Sequence, residues 1–198
     1  MAKKLNPIFV QETLIRNNMF VFSPLEFQRL FNVSPKAATF FIFDHSKKNL
    51  FSKLRNGLYA LISHLPSELE IANKLYKPSY VSFEYALSYY HIIPETVFTI
   101  TSATTKPTRE FQSLGNIYHY YKVKRELYFG YEPKIVNGIT VLIATPEKAF
   151  VDYMYFVSLK KKSLNERLSL DNSNVERIFE YLKIFDKANL TNLVKEII

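Results

Sequence analysis

The sequence predicts an α+β fold in two parts: a small domain over residues 1–65 and a larger mixed α/β domain over residues 66–198, with a small sheet and flanking helices. Three observations predict it. Helical periodicity fills most of the first 48 residues and gives way to a hairpin signal at Asn56-Gly57. Two-residue alternation, the mark of half-buried strands, then returns at Val97–Ser102 and Ile117–Lys124. Charge divides the same way: residues 1–65 hold nine Lys/Arg against three Asp/Glu, leaving +6, and residues 66–198 hold seventeen against fifteen, leaving +2.

The first helix is expected over residues 6–18, with Ile8, Phe9, Leu14 and Ile15 on one stripe and Asn17-Asn18 as its stop. Ser23-Pro24 opens a second: the serine caps, the proline takes the first helical position, and Glu26 favours the first turn. Ser34-Pro35 repeats the signal and starts a third helix that runs to about Lys48. Ala38, Phe41, Ile42 and His45 recur at helical spacing and should face inward, and small Ala37 and Ala38 let two helices cross closely. Two strand-like runs around Asn56-Gly57 then form a hairpin, because Asn and Gly accept the backbone of tight turns. Three helices and a hairpin in this order predict a winged helix-turn-helix.

In the larger part, a short helix follows Pro66, a strand lies at Tyr80-Val81, and a helix runs from Phe83 to Tyr90 after Ser82. A further strand is expected over Gly138–Ala144. "ATPEKAF" starts a mostly apolar helix to about Ser158, with Thr145 as cap, Pro146 first and Glu147 favoured by the helix dipole. Glu147 and Asp152 are read as cap and surface residues, and Lys160–Lys162 as a solvated helix end. Amphipathic helices are expected over Asn174–Asp186 and Leu190–Ile198.

Composition removes several chemistries. The 198 residues contain no Cys, so no disulfide, thiolate nucleophile or Cys-based metal site is available. Four glycines cannot build a phosphate loop, and the four histidines lack metal-ligand spacing. No cofactor, metal or catalytic residue is expected. Met1–Glu12 lacks the apolar core of a leader, and no apolar run approaches a membrane span, so a cytoplasmic protein without a membrane partner is expected.

The basic first part points to a polyanion, and double-stranded DNA fits the helix pattern. On the third helix, Lys36, Thr39 and Phe40 occupy the region that usually enters the major groove. Phe40 either touches a thymine methyl or packs against the first helix or the second domain. Lys47 and Lys48 lie where they can reach phosphates or compensate the helix dipole. Lys53 and Arg55 flank the hairpin tip and can contact backbone phosphates. Lys106, Arg109, Lys124 and Arg125 are candidates for a second basic surface.

"KLRNGLYAL", "PSYVSFEYALSYYHIIPETVFTITSATTKPTREF", "FGYE" and "IATPEKAFVDYMY" together resemble the AbiEi-type antitoxins of type IV toxin–antitoxin, or abortive-infection, systems. The likeness covers roughly residues 20–158, with the segments in the family's order. It implies a transcriptional autorepressor that binds inverted repeats in its own promoter. It also implies a C-terminal domain that counteracts a nucleotidyltransferase-like toxin without a stable complex. Two other classes remain open on the residues: a protein-interaction module whose winged helix does not bind DNA, and a magnesium-dependent nuclease using Glu132-Pro133-Lys134.

Overall fold

A computed structural model describes residues 5–170 and 173–198; Lys3 and Lys4, two of the nine cations counted above, lie outside them, as does all of the charged Met1–Lys4 start. The protein is α+β and divides into two compact units, Met1–Leu75 and Tyr76–Ile198.

The first unit follows its capping residues closely. Helix α1 (Pro7–Arg16) begins where the Asn6 side chain accepts from the Ile8 N–H at 2.9 Å. Helix α2 (Pro24–Phe31) starts on a complete capping box: the Ser23 hydroxyl accepts from the Glu26 N–H, and the Glu26 carboxylate accepts from the Ser23 N–H. It stops at Asn32, which takes a left-handed backbone. Helix α3 (Pro35–Lys47) is capped by Ser34. Ala38, Phe41 and Ile42 are buried as expected, and His45 is half-buried, stacked on Phe41. An aromatic cluster fills the space between helices and sheet, with Phe27 5.7 Å from Phe41 and Phe22 5.1 Å from Phe51 between ring centroids.

Strands β1 (Val21–Phe22), β2 (Phe51–Arg55) and β3 (Leu58–Leu61) form an antiparallel sheet in the order β1-β3-β2. At the hairpin tip only Gly57 takes a positive φ, +74°, while Asn56 stays at negative φ. Helix α4 (Glu68–Leu75) belongs to this unit, so the boundary falls ten residues beyond the 65/66 junction expected from composition. Two hydrogen bonds explain why. The Lys74 ammonium donates to the Val21 carbonyl at 3.0 Å, and the Arg55 Nε–H donates to the Leu75 carbonyl at 2.7 Å. With α4 included, the first unit carries ten Lys/Arg against five Asp/Glu, a net +5, and the second sixteen against thirteen, a net +3.

Among the described residues the second unit has six strands where four were expected: β4 (Ser79–Val81), β5 (Ile100–Thr104), β6 (Arg109–Ser113), β7 (Asn116–Lys122), β8 (Tyr131–Val136) and β9 (Ile139–Ala144). Their order is β6-β7-β5-β4-β9-β8, with β5 parallel to β7, β4 parallel to β9, and the other pairs antiparallel. The strand expected at Val97–Ser102 lies at Ile100–Thr104. Helices α5 (Phe83–Tyr89), α6 (Pro146–Ser158), α7 (Val175–Phe185) and α8 (Ala188–Lys195) complete the unit. Helix α6 is buried over ten of its thirteen residues, packed among α5, α7 and α8. Phe83 holds a left-handed backbone, φ +58°, with its ring edge-on to Tyr121 and Phe156. Among the described residues, no helix is long and apolar enough to cross a membrane.

Candidate functional site

The outer face of α3 is where the first unit places its candidate residues together. Lys36, Thr39, Phe40, Phe43 and Lys47 fall within a sector about 100° wide at 3.6 residues per turn, and all five are exposed. Phe40 is 71% exposed and Phe43 58%, so neither is core. With Pro35, Lys36, Thr39 and Tyr59 of β3, the two rings line an open groove of about 540 Å³. Cations edge it. The Lys47 ammonium lies 4.2 Å from the Phe43 ring centroid. Lys53, exposed on β2, stands opposite Tyr59 in the ladder, and cross-strand partners project to the same side. Phe43 and Tyr59 were not among the residues singled out from the sequence. Helical spacing from Phe40 reveals the first; the second depends on hairpin register.

Two of the expected contacts look different in place. Lys48 bonds Asp44 at 2.7 Å, and that bond draws the Asp44 carboxyl below its ordinary pKa. Arg55 does not project freely from the hairpin: its guanidinium also donates to the Asn56 carbonyl at 2.8 Å, so it is tied to the turn and to the end of α4. Lys53 is the hairpin cation that faces solvent.

In the second unit, Lys106, Arg109, Lys124 and Arg125 gather at one end of the sheet. Parallel β5 and β7 both finish there, and antiparallel β6 begins there, with Arg109 opposite Tyr120. Hydrogen bonds from Val123 N–H to the Thr104 carbonyl (2.8 Å) and from Lys122 N–H to the Thr108 hydroxyl (3.0 Å) hold the three segments side by side. Lys77 and Lys122 join the cluster, and all six cations are exposed. Tyr76 and Phe111 lie under it, with Lys106 and Arg109 over their rings.

Beneath this unit's surface lies a buried ion pair. Lys148 and Asp152, one turn apart on α6, are both fully buried and hydrogen-bonded to each other. Asp152 therefore is not the surface residue expected, and Glu147 is buried too, accepting from the Asn174 N–H at the start of α7. The Tyr80 hydroxyl donates to Asp152 at 2.9 Å and accepts from the Lys148 ammonium at 2.9 Å; the Ser82 hydroxyl donates to Asp152 at 2.8 Å. Burial, and then the Asp152 charge, hold the Tyr80 phenol well above its ordinary pKa, so it stays a donor. Burial pulls the Lys148 ammonium down, and Asp152 opposes that. The Phe129 and Phe185 ring centroids lie 5.0 and 5.1 Å from the ammonium. Lys162 likewise departs from a solvated run: it pairs with Glu84 at 2.6 Å, 4.0 Å from the Tyr121 ring centroid.

The acid-x-lysine segment does not form a compact pair. Glu132 lies 3.6 Å from Arg177, and the Lys134 ammonium sits 4.7 Å from the Tyr90 ring centroid. Among the described residues, no three His, Asp or Glu side chains are grouped to hold a metal ion. Compared with known proteins, the chain matches no family model and no curated protein.

Proposed function

We propose that this chain is a DNA-binding transcriptional autorepressor and the antitoxin of a type IV toxin–antitoxin pair. In this reading the first unit is a winged helix-turn-helix with α3 as its recognition helix and the β2–β3 hairpin as its wing. The observation that carries the DNA half is the α3 stripe: an exposed helix face edged by Lys36 and Lys47, with Lys53 beside it on the hairpin. DNA affinity comes mainly from cations on phosphates, and a helix of this size fits the major groove. The antitoxin half rests on the four-segment resemblance to AbiEi-type antitoxins and assigns the second unit to counteracting a nucleotidyltransferase-like toxin, without a stable complex.

The test measures binding of the full chain to a labelled fragment of the DNA upstream of its own gene, near physiological salt. Binding that falls at least tenfold in Lys36→Gln/Lys47→Gln/Lys53→Gln, with an unchanged melting temperature, supports the reading. Equal binding by the variant sinks it. A second reading is favoured by exposed Phe40 and Phe43: a protein-interaction module that acts without DNA. It expects no promoter shift and a stable complex with the adjacent gene's product.

A further inference from the structure

The middle of the α3 stripe is apolar, and electrostatics alone does not account for it. A helix that contacts only phosphates has no use for two exposed phenyl rings, since water-exposed apolar surface of that size is costly. Its ends are cationic: Lys36 and Lys47 are eleven residues apart, roughly 16 Å along the axis at 1.5 Å per residue. The major groove presents both kinds of surface. Its walls are anionic phosphates about 12 Å apart, and its floor of donors and acceptors carries one apolar group, the thymine C5-methyl.

We infer that Phe40 and Phe43 are specificity-determining residues that read thymine methyl groups on the floor of the major groove, while Lys36, Lys47 and Lys53 hold the phosphates on either side. The inference rests on the DNA-binding reading above and deepens it. Three observations carry it: both rings are exposed, they lie within the same sector as Lys36 and Lys47, and they line one groove with Thr39 and Tyr59. The Lys47 ammonium lies over the Phe43 ring, 4.2 Å from its centroid, so a cation borders the apolar patch directly. An operator with thymines at the contacted steps is the expected ligand.

Uracil is thymine without that methyl, so the experiment compares two promoter fragments of one sequence, one with deoxyuridine in place of every thymidine. Removing a methyl removes burial worth about 0.8 kcal/mol, a loss of roughly fourfold in affinity for each methyl touched. The full chain should bind the uracil fragment several-fold more weakly. Phe40→Ala/Phe43→Ala should bind both fragments alike and more weakly than wild type binds the thymine form. Its fold, checked by melting temperature, should persist, because neither ring is in the core. Lys53→Gln should weaken both fragments equally and keep their ratio. If wild type binds the two fragments equally while Lys53→Gln still weakens both, the methyl inference falls and the DNA reading stands. If wild type binds neither, both fall. If Phe40→Ala/Phe43→Ala binds the thymine fragment as tightly as wild type, the rings do not read methyl groups and the inference falls.

Discussion

Among single residues, Lys148 and Asp152 carry the largest consequence. Each neutralises the other in a site without water access, and Tyr80 and Ser82 complete the carboxylate's hydrogen bonds. Removing one member leaves an uncompensated buried charge, which costs about 3–5 kcal/mol, whereas replacing both with apolar groups of similar volume costs far less. Asp152→Ala should therefore lower the unfolding free energy of the second unit by that amount, and Lys148→Met/Asp152→Leu should recover most of it. Urea denaturation of the two variants checks this; equal losses would show that the pair is not an interacting unit. The i, i+4 spacing alone looks like a surface helix pair. The clue to its burial was that residues 149–151 and 153–157 are apolar on every side, which leaves α6 no solvent face. Gly130 is part of the same site: a Cβ there would lie 2.9 Å from the Lys148 Cγ, so the lysine stem can pass only where that residue is glycine.

At the level of elements, helix starts were the most legible feature, because a serine that caps and a proline that begins act within four residues. The α3 stripe was legible for the same reason, and Lys36, Thr39, Phe40 and Lys47 all lie exposed on it. Edge strands were not legible. In β6, Arg109, Glu110 and Gln112 are exposed, and β8 contains Pro133, so neither shows an apolar alternation. Lys106, Arg109, Lys124 and Arg125 were readable as a possible second basic surface, but their gathering at one sheet end with Lys77 and Lys122 was not, because separated segments build it. The roles of Lys53 and Arg55 also needed the third dimension, since adjacent cations on one hairpin look alike in sequence. They now separate. Arg55→Ala removes two hydrogen bonds to main-chain carbonyls and should destabilise the first unit by about 1–3 kcal/mol. Lys53→Ala should leave stability within about 0.5 kcal/mol of wild type, as exposed substitutions usually do. Thermal melts of the two single variants test this, and a greater loss in Lys53→Ala would contradict it.

For the whole molecule, net charges of +5 and +3 make both units attractive to a polyanion, and an ionic-strength series tests whether either one engages phosphates under the proposed DNA binding. The logarithm of the binding constant falls with log salt by about 0.9 for each phosphate neutralised. If the sheet-end cations touch DNA, Lys106→Gln/Arg109→Gln/Lys122→Gln/Lys124→Gln should make that slope shallower by about 0.9 for each phosphate these side chains neutralise. An unchanged slope would leave the second unit out of the proposed DNA contact. The strand pairing has a separate consequence, in time. Every strand of the first unit finds its partner within residues 21–61, whereas β4 of the second unit pairs with β9 through Val81 and Ile143. Long-range parallel pairing is slow to form, and domains fold in turn as the chain is made. On the ribosome, then, the first unit can be complete while β4 still waits for a strand not yet synthesised.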